Sequence, residues 1–404
     1  MNNLGRAAVI AAVAVAGAAT AQDRAPGGPV AVYWMSAQTS TGFMAGMMGP
    51  GGGRPSMGAM MGMMAHGGPD PNAVNHTLRL QLGSALRPSG APEAEHDPPQ
   101  GLGAGPSLPL VTPVAQPSQP VEESPQAPQQ FHRPSGRLLI FWGCGEHAGP
   151  GQPYVVDFAK VSQDPQGFAG LMRGLAVTPM QPPSPGRFAT YGEWPNQETR
   201  TQVPPDGSLA GDHLVRGDYS PDIRFTLGPD QDFMAPLRLE RNARTPSGAV
   251  ELAWESIPTA LGYFASAMGA SGEGTMVIWT SSASQTVAFA LPDYLAPAET
   301  RRLVASGHLL APAQTECRVP QEAAQAMGGH GMLQLAAFGD EANFAWPPRP
   351  KRLEWVVKVR YRSTTSGFLG QPNGMGGGQQ GQQQQQQQRQ GAGGLFHGLG
   401  GFIP

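Results

Sequence analysis

Two groups of side chains in this sequence have the types and spacing for chemistry. The first is Cys144-Gly145-Glu146-His147. A thiolate beside an imidazole base would make a nucleophile of Cys144 and a general base of His147. Catalytic cysteine and histidine normally come from separate segments that the fold brings together. The spacing therefore favours a structural cysteine at a strand end with a surface histidine beside it. One other cysteine exists, Cys317. In an oxidising compartment Cys144 and Cys317 form the single intramolecular disulfide open to the chain. Two free buried thiols are the alternative, because cysteine is also a small core residue.

The second group is rich in methionine: Met44, Met47, Met48, Met57, Met60, Met61, Met63 and Met64, followed by His66. Thioether sulfur is a soft donor that suits Cu(I) and needs no deprotonation. These nine residues are the candidate metal ligands, with Cu(I) as the candidate cofactor. Met327-Gly328-Gly329-His330-Gly331-Met332 is a smaller echo. In composition the segment resembles the Met- and His-rich stretches of exported bacterial copper-handling proteins. The competing reading is a flexible Gly/Met loop whose methionines make weak apolar contacts.

Other chemistries leave no trace. The sequence has no H-E-x-x-H, G-x-S-x-G, P-loop or EF-hand pattern. Gly101-Leu102-Gly103-Ala104-Gly105 lacks the third-glycine spacing of a dinucleotide site, and Asp230-Gln231-Asp232 lacks the remaining calcium ligands. Two cysteines make a structural zinc site an unpromising reading. Charged residues are 14% of the chain and the net charge is −3, which argues against nucleic acid as a partner.

The elements that must position these residues begin after an export signal. Arg6 precedes an apolar run, Ala7 to Ala18, too short to span a bilayer. Ala19-Thr20-Ala21 follows as an A-x-A cleavage site, so residues 1–21 read as a signal peptide. The expected location is the periplasm or the exterior. No later run of about 18 apolar residues appears, so no transmembrane span is expected in the mature chain.

Gly and Pro together supply about a quarter of the chain, so long irregular stretches are expected. Residues 42–70 read as a Gly/Met-rich insertion and 86–136 as a Pro-rich irregular connection. Residues 163–211 read as loop-rich. Between them lie about a dozen short apolar or alternating segments. Val30–Met35 opens the first. Leu78, Leu80 and Leu82 share one face of a second. Leu138–Cys144 is apolar on both faces, with Tyr154–Phe158 as its neighbour. Alternation returns at Ile223, Phe225 and Leu227, at Leu237 and Leu239, and at Val250, Leu252 and Trp254. Strands are also expected at Tyr263–Met268, Met276–Thr280 and Met332–Phe338. In the last, Leu353–Arg362, Trp355, Val357, Val359 and Tyr361 face one side, and Glu354, Lys358, Arg360 and Arg362 the other. Two short helices are expected, one starting at Pro297 and stopped by Gly307, the other from Pro320 to Met327.

The pattern predicts a mainly β protein, an antiparallel β-sandwich (one or two) with two short helices and long Gly/Pro-rich loops. The expected organisation is an N-terminal β region over 22–230 and a C-terminal sandwich over 231–370. A Gly/Gln tract at 371–394 and an apolar tail at 395–404 follow. Leu252-Ala253-Trp254, Pro258, Ala260 and Gly262-Tyr263 resemble the second and third strands of a fibronectin type III or related immunoglobulin-like domain. The resemblance covers about 235–290 and implies a Trp packed under a Tyr in a sandwich; it carries no function. The functional expectation is an exported, non-catalytic protein with a binding or structural role in the envelope or outside the cell. Its partner would be an envelope or extracellular protein or a surface polymer. The alternatives are a periplasmic copper-binding protein and a hydrolase using Cys144 and His147.

Overall fold

The computed structural model describes residues 28–48, 73–113, 136–161, 177–271, 274–287, 291–328, 331–348 and 353–371. Residues 1–21, read from sequence as a signal peptide, Met57 to His66, the Gly/Gln tract beyond residue 371 and the apolar tail lie outside the described residues. The first eight strands are β1 (Ala31–Thr41), β2 (Val74–Ser84), β3 (Ala94–Asp97), β4 (Leu108–Pro109), β5 (Arg137–Trp142), β6 (Tyr154–Asp157), β7 (Thr190–Trp194) and β8 (Gly211–Gly217). The rest are β9 (Ser220–Leu227), β10 (Leu239–Arg244), β11 (Val250–Trp254), β12 (Ala260–Ser271), β13 (Thr275–Thr280), β14 (Glu316–Val319), β15 (Met332–Trp346) and β16 (Trp355–Phe368).

They form three sheets. The largest has nine strands in the order β6-β5-β13-β12-β15-β16-β1-β2-β7. Two smaller sheets, β4-β3-β8-β9 and β10-β11-β14, join one of its faces in a common apolar core. The molecule is thus mainly β in a sandwich-like arrangement. The large sheet is mixed rather than antiparallel throughout, because β1 runs parallel to β16 and β5 parallel to β13. It also takes strands from both sides of residue 230, so that division of the sequence does not separate the sheets.

Alternation sets the two faces of the large sheet. Tyr33, Met35 and Ala37 of β1 lie opposite Leu82, Leu80 and Leu78 of β2, and opposite Val357, Val359 and Tyr361 of β16. All nine are buried and build the inner face. Each fully buried Leu or Val on that face contributes roughly 1.5–3 kcal/mol, and a one-residue slip of β16 would put Lys358 and Arg360 there instead. Leu138 and Ile140 of β5 face a separate apolar cluster from Phe141, so this strand is covered on both sides as its sequence predicts.

Both expected helices are present, as Pro297–Ala305 and Gln321–Ala326. Two more occur, α1 (Gly42–Met48) and α2 (Phe158–Val161); the expected pair are therefore α3 and α4. Residues 42–48, read as low-complexity, are helical. Gly42 makes the turn from β1 into α1 with φ +77°, and a Cβ there would run into the Ser366 carbonyl. The stretch 86–136 is also more ordered than its prolines imply, since it carries β3 and β4. The buried residue of β3 is His96, opposite Val215 with His213 nearby, and its polar residue type hides the alternation.

Candidate functional site

The outer face of the large sheet carries a row of cations beside aromatic rings. Lys358, Arg360 and Arg362 alternate along β16, so all three point to this face. Beside them on β1 stand Trp34, Ser36 and Gln38, opposite Lys358, Arg360 and Arg362 in register. Two of the three cations meet a carboxylate. Lys358 Nζ pairs with Glu341 on β15, and Arg362 Nη1 pairs with Asp293 in the loop before α3. Among the described residues no carboxylate pairs with Arg360.

Arg360 is held in place by other means. Its guanidinium carbon lies 5.1 Å from the Trp34 ring centre and 4.3 Å from that of Tyr294. Its Nε donates to Ser36 Oγ at 2.8 Å. Arg362 pairs with Asp293, the residue next to Tyr294 in sequence. Desolvation lowers the pKa of Arg360, and the nearby Arg79 acts in the same direction. Burial likewise pushes Tyr294 up to about 12. Both rings favour the cation electrostatically. The terminal nitrogens of Arg360 have no hydrogen-bond partner among the described residues. A fixed, planar, partly exposed fork of N–H donors matches the two oxygens of a carboxylate or phosphate.

The rim of this face is already paired. Arg79 Nη2 meets Glu193 Oε2 at 2.9 Å, Tyr191 Oη donates to the same oxygen at 2.7 Å, and Gln81 Nε2 donates to the Pro183 carbonyl at 2.9 Å. Burial, reinforced by Glu193, raises Tyr191 to about 12, so it stays a neutral donor.

A second polar chain lies inside the core. His213 Nε2 donates to the Leu209 carbonyl at 2.8 Å, which leaves Nδ1 as an acceptor. His96 Nε2–H supplies that proton at 3.0 Å, so His96 Nδ1 accepts in turn from Tyr33 Oη–H at 2.5 Å. The chain Tyr33–His96–His213–Leu209 is complete with both imidazoles neutral. Desolvation lowers both histidines, His96 far below its usual value with His213 adding to it. His96 and Tyr33 are fully buried, so this relay holds β1 to the smaller sheet and offers nothing to a substrate.

The residues singled out from sequence fare differently. Cys144 is bonded to Cys317, with Cα atoms 5.2 Å apart, which ties the end of β5 to β14. Cys144 therefore has no thiolate with which to attack. His147 is exposed, with Nδ1 3.1 Å from Glu322 Oε1 at the start of α4. Partial desolvation would raise Glu322, but the Ala148 N–H, its own N–H and His147 outweigh it and hold Glu322 at about 2. Met44, Met47 and Met48 lie on α1. Met57, Met60, Met61, Met63, Met64 and His66 lie outside the described residues. Among the described residues no three His, Cys, Asp or Glu side chains gather as for a metal ion.

Trp34 and Tyr294 escape a reading based on strand alternation. The basic side of β16 looks like an ordinary solvated face until its neighbours are known. The available signal was Val30-Ala31-Val32-Tyr33-Trp34-Met35, which is apolar on both faces and so requires cover on both. Trp254 and Tyr263, the pair in the fibronectin-like stretch, meet edge to face at 5.5 Å across the gap between β11 and β12. Compared with protein-family models, curated proteins and solved structures, the chain matches none.

Proposed function

We propose that this chain is an exported, non-catalytic binding protein of the periplasm or cell exterior, and that it grips an acidic group of an envelope or extracellular partner on the outer face of its large sheet. One observation carries the reading. Of three cations in a row on β16, the middle one lacks a carboxylate among the described residues, yet it is the one clamped between two rings. Holding a desolvated guanidinium costs free energy that a bound oxyanion returns. The disulfide is in keeping with an oxidising location. Among the described residues no helix is long and apolar enough to cross a membrane.

The test is retention of the purified protein on the isolated envelope fraction at fixed salt. A hydrogen-bonded ion pair contributes roughly 1.5–3 kcal/mol, so Arg360→Gln should weaken retention by about 10- to 100-fold. Arg360→Lys should recover only part, because an ammonium lacks the fork. Equal retention by wild type and Arg360→Gln would refute the reading.

A further inference from the structure

At the other end of the same outer face, three methionines stand exposed together. Met268 of β12 lies directly opposite Met332 of β15. On its other side Met268 faces Ile278 of β13, and Met276 lies two residues along, opposite Ala270. Side chains two apart on a strand share a face, so Met268, Met276 and Met332 all project from one patch. Their relative exposures are 47%, 44% and 44%. Directly opposed Cβ atoms in a sheet sit about 4.5–5.5 Å apart and diagonal neighbours about 7–8 Å, within reach of long side chains. Three rotatable bonds let each thioether lean toward a common point above β12.

Leaving three large apolar side chains in water forgoes the burial that normally stabilises them. Among the described residues the other large exposed apolar side chains, Leu86, Tyr154, Val155 and Trp346, lie elsewhere. Both cysteines are locked in the disulfide, and thioethers are the soft donors left to the chain. Unlike thiols, they cannot be lost to disulfide formation.

The patch has an aromatic neighbour. Met332 lies opposite Phe368, whose ring meets Phe43 of α1 edge-on at 4.9 Å. The chain leaves α1 at Met48 and returns at Val74, which pairs with Thr41.

We propose that Met268, Met276 and Met332 form a surface site for a soft monovalent metal ion, Cu(I), distinct from the Met44–His66 stretch. Thioethers bind Cu(I) in preference to harder divalent ions. The proposal is independent of the anion-binding reading of Arg360.

The experiment uses the full mature chain and Cu(I) held reduced with ascorbate, titrated against a colorimetric Cu(I) chelator. One form carries Met57, Met60, Met61, Met63 and Met64 each replaced by Leu. It should keep one tightly held equivalent, showing only sulfur scatterers in copper X-ray absorption. Adding Met268→Leu, Met276→Leu and Met332→Leu should abolish that equivalent. Leu for Met nearly conserves volume, so the melting temperature should hold. If the triple variant melts early, Met268→Leu alone, at the centre of the group, should weaken binding while folding normally. Undiminished Cu(I) uptake by the triple variant, or none by the form with the sheet methionines intact, would overturn the proposal.

Discussion

Acidification should loosen this fold through two buried histidines. In the folded chain His96 and His213 are neutral, because each must present one N–H and one bare nitrogen to complete the relay from Tyr33 to Leu209. Both have pKa values below the usual histidine range. In the unfolded chain they take up protons near pH 6.5. Below that pH the unfolded state binds more protons than the folded one, so stability falls as pH falls. The contribution is fully present above about 6.5 and is lost progressively toward the depressed folded values. At about pH 5.5 each histidine that stays neutral in the fold costs about 1.4 kcal/mol, so the pair costs up to about 3 kcal/mol relative to about pH 7.5. His213 is less buried than His96, so that total is an upper figure. Carboxylates held below their usual range, Glu95, Glu299 and Glu322, withdraw their support only at still lower pH. The assay is urea unfolding at about pH 7.5, 6.5 and 5.5, the window that follows from the histidine reference value. A His96→Gln/His213→Gln variant should be weaker at neutral pH and lose less across the window, keeping a residual slope from His76 and His308, which burial also lowers. Equal wild-type stability at both ends, or a drop of the same size in the double variant, would refute the reasoning.

Two further outcomes are open to simple measurement. The disulfide joins cysteines 173 positions apart; replacing both by serine should cost up to about 5 kcal/mol on the chain-entropy model, and an unchanged unfolding midpoint would count against it. The proposed export implies cleavage after Ala21, so N-terminal sequencing of the secreted protein should begin at Gln22, and an intact Met1 would contradict it.

Most of the large sheet is legible in the sequence because its inner face is aliphatic. Leu78, Leu80 and Leu82 announce β2, and the Trp355 to Tyr361 alternation announces β16. The smaller sheets are harder to see. β3 and β8 bury His96 and His213, and in a residue pattern a histidine counts as polar even when its partners neutralise that cost. The site on the outer face was half visible. The row Lys358, Arg360, Arg362 is plain in the sequence, but its meaning depends on Glu341, Asp293 and Tyr294, which reach it from other elements. No spacing rule connects residues 34, 294 and 360. The exposed methionines were hidden for a different reason: as members of β12, β13 and β15 they count as core candidates, and only the register shows that they share the outer face.

The parallel seam between β1 and β16 has a consequence for how the chain acquires its structure. The earliest strand lies between β2 and the latest one, in the interior of the sheet. Every residue of β1 from Ala31 to Thr41 has a register partner on β16 from Trp355 to Thr365. Until the final strand arrives, β1 presents an unpaired edge with Tyr33 and Met35 beside it, an aggregation-prone template. Closing that seam joins segments more than 300 residues apart, the kind of long-range pairing that makes folding slow. The sheet must therefore finish assembling after synthesis has passed residue 365. A chain released earlier would be a client for chaperones or proteases, whatever the quality of its other strands.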